Sequence, residues 1–217
     1  MHTAGASLAG CFIPRAAASS LAGGAAALGS PLIRNIATIG GNLVTARPAA
    51  DLPPSLIARG AKVTAKVGVK DLEYPVEGFA TLPGQIVLPA GGIITSVLVP
   101  KPADGSGGAY LKLGVRKSLE CSIINVAAYL ELDGDGTVKT ARVVLGSVAP
   151  THIRAKSAEA VLQGEKATDE LLVKAGEAAG KDSRAIDDFR GGSDYRREMV
   201  KVYTRRVLEA ARKRAQG

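Results

Sequence analysis

Apolar and polar residues alternate from Ala61 to Val67 (AKVTAKV), the two-residue period of a half-buried strand. The β-branched run from Ile93 to Pro100 (IITSVLVP) predicts a second strand. Two longer apolar segments, Cys121–Leu132 (CSIINVAAYLEL) and Thr137–Val148 (TVKTARVVLGSV), predict a strand pair joined by the turn Asp133-Gly134-Asp135-Gly136. The period then changes to that of helices, over about 155–163, 167–180 and 193–214. In the last of these, Val200, Tyr203, Val207, Ala210 and Ala211 share one face, expected to pack on the second sheet with the arginines outside. Asp51–Ala61 (DLPPSLIARGA) reads as a short helix, with Asp51 as N-cap candidate, Pro53 and Pro54 in the first turn and Gly60 past the end. Residues 1–30 are dominated by Ala, Gly and Ser. They suit either a small-residue helix packed closely on a neighbour or a poorly ordered lead-in, which Ser30-Pro31 ends.

The stretch Pro102–Gly108 (PADGSGG) carries the strongest linker signal and divides the chain into residues 1–103 and 104–217. The fold class is α+β, with an antiparallel sheet followed by helices in the second part. Hydrophobic residues make up 46% of the 217 and charged residues 22%, which excludes a disordered chain. Aromatics are only 4% and Trp is absent, so aliphatic residues must fill the core and few rings remain for stacking on single-stranded nucleic acid.

Net charge is +8, and it is concentrated after Tyr195, where Lys and Arg face only Glu198 and Glu209. Such a block suits nucleic acid, an acidic lipid surface, an acidic partner subunit, or simply the solvated face of a helix. With no stacking rings interleaved and no nucleic-acid module, a nucleic-acid partner is not expected. Cys11 and Cys121 form no CxxC, and His2 and His152 stand alone, so no metal site is expected and a reduced, cytoplasmic setting is. No membrane span is expected either, since no apolar run approaches about 18 residues. Leu8-Ala9-Gly10-Cys11 imitates a lipoprotein cleavage box, but only Met1–Ser7 precede it, too little for an export signal.

The most informative segment is Thr38-Ile39-Gly40-Gly41-Asn42. Paired glycines let a backbone come close to a ligand, and their N–H groups can form a nest for a pyrophosphate. Thr38 and Asn42 could donate further hydrogen bonds; the plain alternative is a tight turn or bulge. Asp133–Gly136 lacks the third acid and distal Glu of a calcium loop and reads as a turn. No nucleophile–His–acid set and no GxGxxG is present.

Ile33–Leu43 (IRNIATIGGNL), followed nine residues after Asn42 by Asp51-Leu52-Pro53-Pro54, resembles a family signature. It is similar to that of the FAD-binding medium subunit of molybdenum hydroxylases, the family of carbon monoxide dehydrogenase, xanthine dehydrogenase and the hydroxybenzoyl-CoA reductases. Ile93–Pro100, Ala109–Lys112 with Arg116, Leu145–Pro150, Arg154, Ala158-Glu159 and Tyr195-Arg196-Arg197 extend the resemblance, in order, over residues 25–214.

The resemblance implies a partial FAD-binding domain of the molybdenum-hydroxylase type followed by the C-terminal domain of the flavoprotein subunit. It implies that Thr38, Ile39, Gly40, Gly41 and Asn42 line the FAD pyrophosphate, mainly through backbone N–H. Asp51 would accept hydrogen bonds from cofactor hydroxyls, Ile94 would border the isoalloxazine, and Lys112 would lie near the flavin ring, where a fixed cation favours the anionic reduced form. Tyr110 would pack beside the ring or fill the domain junction. The implied function is electron transfer through FAD, as a cytoplasmic oxidoreductase component that does not itself transform the substrate. The implied partners are a large subunit with molybdopterin and a small subunit with two [2Fe–2S] clusters.

Members of the family normally begin with a further small subdomain bearing a glycine loop of AGGT or AGGH type, and nothing like it precedes Pro31. Leu21-Ala22-Gly23-Gly24 lies too near the second motif and is assigned to a helix. The expectations are a partner chain that supplies the missing subdomain, a shortened chain, or a structural subunit that has lost FAD. Arg196, Arg205, Arg206, Arg212 and Arg214 offer a docking face for an acidic partner.

Overall fold

The computed structural model describes residues 15–116 and 120–217. Cys11, His2 and the Leu8–Cys11 segment lie outside the described residues. Among the described residues the first part holds four helices, α1 (Arg15–Ala27), α2 (Pro31–Ile36), α3 (Ile39–Val44) and α4 (Leu52–Ala58). They are followed by strands β1 (Lys62–Val67), β2 (Lys70–Pro75), β3 (Ala80–Leu82), β4 (Gln85–Ile86) and β5 (Ile93–Leu98). β2, β1 and β5 form an antiparallel three-stranded sheet in that order, and β3 and β4 form a small hairpin. The second part has a four-stranded antiparallel sheet, β6 (Ser106–Leu113), β7 (Ile124–Leu132), β8 (Val138–Gly146) and β9 (Ile153–Arg154), in chain order. Helices α5 (Lys156–Leu162), α6 (Asp169–Asp182) and α7 (Ser193–Ala215) complete it.

The apolar run of β7 has its explanation in this arrangement. Val126, Ala128 and Leu130 face the core shared with α5, α6 and α7, whereas Ala127 and Tyr129 face Leu21, Leu52 and Leu56 of α1 and α4. A strand buried on both faces loses the polar alternation of a one-sided strand. The second sheet therefore serves both cores, one on each face. The small-residue pattern near the N-terminus forms α1, which lies directly on β6 and α4. A Cβ on Gly23 would stand 3.4 Å from Cβ of Tyr110, and one on Gly24 would stand 2.7 Å from the Asp51 carbonyl oxygen.

Two expectations need correction. The glycine-rich stretch 102–108 is a connection only in its first half, because Ser106, Gly107 and Gly108 already belong to β6. Gly107 is there because α7 crosses it: a Cβ would come within 2.6 Å of the Ala215 nitrogen. Nor do the α7 arginines all stand outside. Arg196 is 1% exposed and reaches Asp188 and the Ser147 carbonyl. Arg212 donates to Asp169 and to the Ala167 carbonyl at 2.6 Å each, and Arg214 donates to the Gly108 carbonyl. Arg205 pairs with Glu209, and Arg206 lies over the Tyr203 ring. A docking face built from these five loses its main members to internal contacts. The hairpin at Asp133–Gly136 is a turn, in which Asp135 accepts hydrogen bonds from the Thr137 N–H and hydroxyl. Among the described residues no helix is long and apolar enough to cross a membrane.

The position of α7 on β6 gives a direct test. Gly107→Ala should lower stability by roughly 1–3 kcal/mol, because the new methyl meets helix backbone that cannot swing aside. Gly134→Ala, in the open turn with nothing within 4 Å of an added Cβ, should change little. Urea unfolding of the two variants compares them; equal midpoints would contradict the packing.

Candidate functional site

Thr38 sits in extended conformation before α3, and its side-chain oxygen accepts a hydrogen bond from the Gly41 N–H at 3.0 Å. This is an ordinary N-cap, so the glycine pair forms the first turn of a short helix and not a bulge. The N–H groups of Ile39 and Gly40 stand in that first turn, where a helix offers them no acceptor of its own. Across from them runs β5. Thr38, Ile39, Gly40, Gly41 and Val44 on one side and Gly92 to Val97 on the other bound an open groove of about 750 Å³. Gly40 keeps the groove open: a Cβ there would point across it, to 3.8 Å from Ile94. A Cβ on Gly41 would instead crowd the Thr38 cap oxygen at 3.0 Å. A groove with first-turn N–H donors, a glycine wall and an apolar wall from Ile94 fits an anionic linker joined to a flat apolar ring. These features fit FAD.

The structure thus brings Thr38, Ile39, Gly40, Gly41 and Ile94 together. Asp51 and Lys112 meet elsewhere, beneath the C-terminal end of α1. Asp51 is buried; its Oδ1 accepts a hydrogen bond from the Tyr110 hydroxyl at 2.6 Å and its Oδ2 one from Lys112 Nζ at 3.0 Å. Lys112 also donates to the Ala27 carbonyl at 3.2 Å, where a cation suits the negative end of α1. Burial pushes the Asp51 carboxyl above its usual range, against the pull of Lys112 and Tyr110. Burial and the neighbouring Asp51 push the Tyr110 phenol well above the ordinary tyrosine range. Tyr110 belongs to this cluster, and sequence reasoning had left its role divided between ring contact and junction filler.

Asp51 occupies the N-cap position of α4 but makes no capping hydrogen bond. An N-cap side chain bonds the N–H of the second or third helical residue, here Pro53 and Pro54, which have none. The Leu52 N–H goes to Asn42 Oδ1 at 3.3 Å instead. Asn42 is thereby turned toward α4 through its oxygen, and its own N–H bonds the Thr38 carbonyl.

The loop before Asp51 is clamped to the second sheet. Pro48 O accepts from the Ser147 N–H at 2.8 Å, Ala49 O from the Ser122 hydroxyl, and Ala50 O from Asn125 Nδ2 at 3.3 Å, with His152 Nε2 3.2 Å away. Ser122, Asn125 and His152 carried no signal as single residues, because their role depends on a loop more than seventy positions away. Cys121 is exposed and unpaired, and among the described residues no cluster of His, Cys, Asp and Glu could hold a metal ion.

Residues 4–102 match the family model of the FAD binding domain in molybdopterin dehydrogenase, and residues 109–211 that of the CO dehydrogenase flavoprotein C-terminal domain. The xanthine dehydrogenase FAD-binding subunit of Escherichia coli O157:H7 is 31% identical over 199 residues, 90% of this chain and 65% of that protein. The carbon monoxide dehydrogenase medium chain of Hydrogenophaga pseudoflava is 31% identical over 191 residues, 88% of this chain and 66% of that one. The chain therefore spans about 65% of the length of these curated relatives. Among solved structures, Hydrogenophaga pseudoflava carbon monoxide dehydrogenase lacking the Mo-pyranopterin moiety superposes with a TM-score of 0.92 at 31% identity, over 98% of this chain and 73% of that chain. Quinoline 2-oxidoreductase from Pseudomonas putida 86 superposes with a TM-score of 0.83 at 25% identity, over 90% of this chain and 67% of that one.

The clamp has a pH signature. Burial holds the His152 imidazole down at about 4, so the folded chain keeps it neutral while the unfolded chain protonates it near 6.5. A depressed pKa leaves stability intact above about pH 6.5 and removes it as pH falls toward 4, by roughly 2–3 kcal/mol in all. His152→Gln should flatten the stability profile over this window in thermal unfolding at graded pH. A profile as steep as that of the unmodified chain would remove His152 as the cause.

Proposed function

The chain belongs to the FAD-binding medium subunits of the carbon monoxide dehydrogenase and xanthine dehydrogenase family of molybdenum hydroxylases, and from that membership we propose that it is the electron-transfer component of such a complex. In this reading residues 1–103 are its partial FAD-binding domain and residues 104–217 the C-terminal domain. FAD, when bound, would supply the redox chemistry that links the clusters of a partner subunit to an external acceptor. The chain's own residues bind it and shape its surroundings. Ile39 and Gly40 offer N–H donors to the pyrophosphate, with Thr38 and Gly41 fixing the turn that aims them. Ile94 gives the ring an apolar border. Asp51, paired with Lys112 and Tyr110 away from the groove, fixes α4 against β6 and so the frame on which the groove wall stands.

The observation that carries the reading is the groove, kept open by Gly40 between α3 and β5. Electrons would come from a small subunit with [2Fe–2S] clusters, fed by a large subunit with molybdopterin that transforms the substrate. A further polypeptide region, in another chain or in a continuation of this one, would complete the grip on the pyrophosphate. The exposed Leu32 and Ile36 of α2 and Ile93 of β5 suit such a covering. The exposed thiol of Cys121 suits a reducing cytoplasm.

Flavin content of the purified complex tests this. Gly40→Val should retain less than about a tenth of the FAD, since a filled groove displaces donors whose charge-assisted bonds contribute about 1.5–3 kcal/mol each. Lys139→Ala, on the exposed edge of β8, should retain all of it. Equal FAD in Gly40→Val and the unmodified chain would exclude the groove as the site.

A further inference from the structure

We infer that Asn42 is a positioning residue, whose side-chain oxygen caps α4 from outside and so reserves the Asp51 carboxylate for Tyr110 and Lys112. The inference rests on the reading above only in naming the groove wall that carries Asn42 as the cofactor's.

A helix leaves its first four N–H groups without internal partners, and an N-cap aspartate normally turns back to take one of them. At the head of α4 two of these donors do not exist, because Pro53 and Pro54 have no N–H. With nothing to cap, the Asp51 side chain gains no local hydrogen bond by folding back. It extends instead toward Tyr110 Oη and Lys112 Nζ, at 2.6 and 3.0 Å. That leaves the Leu52 N–H, at the first position of the helix, to be satisfied. Asn42 Oδ1 does so at 3.3 Å, across ten residues of sequence. Without it Leu52, only 1% exposed, would bring an unpaired N–H into the protein. That loss would also free the start of α4, from which the Asp51 side chain is held toward Tyr110 and Lys112.

These four residues are therefore interdependent. The two prolines remove the donors that would draw Asp51 inward, Asn42 meets the remaining one, and the freed carboxylate is paired on β6. Asn42 stands in the helix that opens with Gly40 and Gly41, so one hydrogen bond joins the groove wall to the buried acid. The nine-residue interval between Asn42 and Asp51 is the length of chain that leaves α3, passes the clamp on the second sheet and returns to that bond.

The test needs no flavin. The chain has five tyrosines and no tryptophan, so ring-carbon NMR with labelled tyrosine gives few resonances, and Tyr110→Phe assigns the one in question. In the unmodified chain Tyr110 should remain un-ionised at about pH 10–11, where free tyrosine titrates. Asn42→Ala should lower its ionisation toward that range, as the start of α4 loosens and Asp51 relaxes its hold on the phenol, while burial keeps the rest of the elevation. Asn42→Asp, which keeps an acceptor oxygen at the same reach, should retain the unmodified behaviour. A Tyr110 resonance unmoved by Asn42→Ala overturns the inference, as does an Asn42→Asp variant that behaves like the alanine, since the NH2 group would then carry the role. Should Asn42→Ala fail to fold, Pro54→Ala decides. It gives Asp51 an N–H to cap and should shift Tyr110 in the same direction, and an unmoved resonance there overturns the inference. FAD content is read separately: a complex that holds no flavin counts against the cofactor reading and leaves the tyrosine result standing.

Discussion

A carboxylate with almost no access to water stands at the meeting point of three segments of this chain. Asp51 begins α4, Lys112 and Tyr110 come from β6, and the Lys112 ammonium also reaches the Ala27 carbonyl at the end of α1. Burying an ion pair yields little net stability, but a buried charge left without its partner is costly, by several kcal/mol. The cluster therefore acts less as an adhesive than as a condition on geometry: the helices and the sheet must dock in the one arrangement that pairs every member. Gly23 and Gly24 belong to the same condition, since α1 can close over the cluster only where its side chains are missing.

This constraint links fold and function in the proposed reading. The groove that fits the cofactor lies on α3 and β5, at the outer rim of the first part, whereas the charged cluster lies at its base against the second sheet. Rigid attachment of the rim to the base comes from short polar contacts: Asn42 to Leu52, and the clamp of Ser122, Asn125, Ser147 and His152 on the three carbonyls before Asp51. Short helices such as α3 and α4 are marginal by themselves, so their orientation is set by these contacts.

Much of this was legible beforehand, and the limits have physical causes. The helices of the second part and strand β1 follow from periodicity, because each has a distinct inside and outside, β5 follows from its β-branched run, and the hairpin at Asp133–Gly136 from its turn residues. The start of β6 was hidden because its glycines answer to a helix a hundred residues later, and glycine in isolation signals a linker. Arg196 was misplaced for a related reason: helical spacing puts it beside the apolar stripe, and its burial depends on Asp188 just before the helix and on the Ser147 carbonyl far back in the chain. In the candidate site, the glycine pair and Ile94 could be read as neighbours of one ligand through the family resemblance. The division between groove and charged cluster could not, since it depends on which way Asp51 turns. That too was written in Pro53 and Pro54, as a pair of missing donors whose meaning emerges only when every first-turn N–H is accounted for.

The sheet buried on both faces bears on how such proteins can change over generations. A strand such as β7 offers no side to solvent, so its odd and even positions answer to different halves of the chain. Exchange of one half between relatives would set Tyr110, Ala127, Tyr129 and Val144 against a surface they had never fitted. A change on one face of the sheet therefore calls for a matching change in the half that packs there.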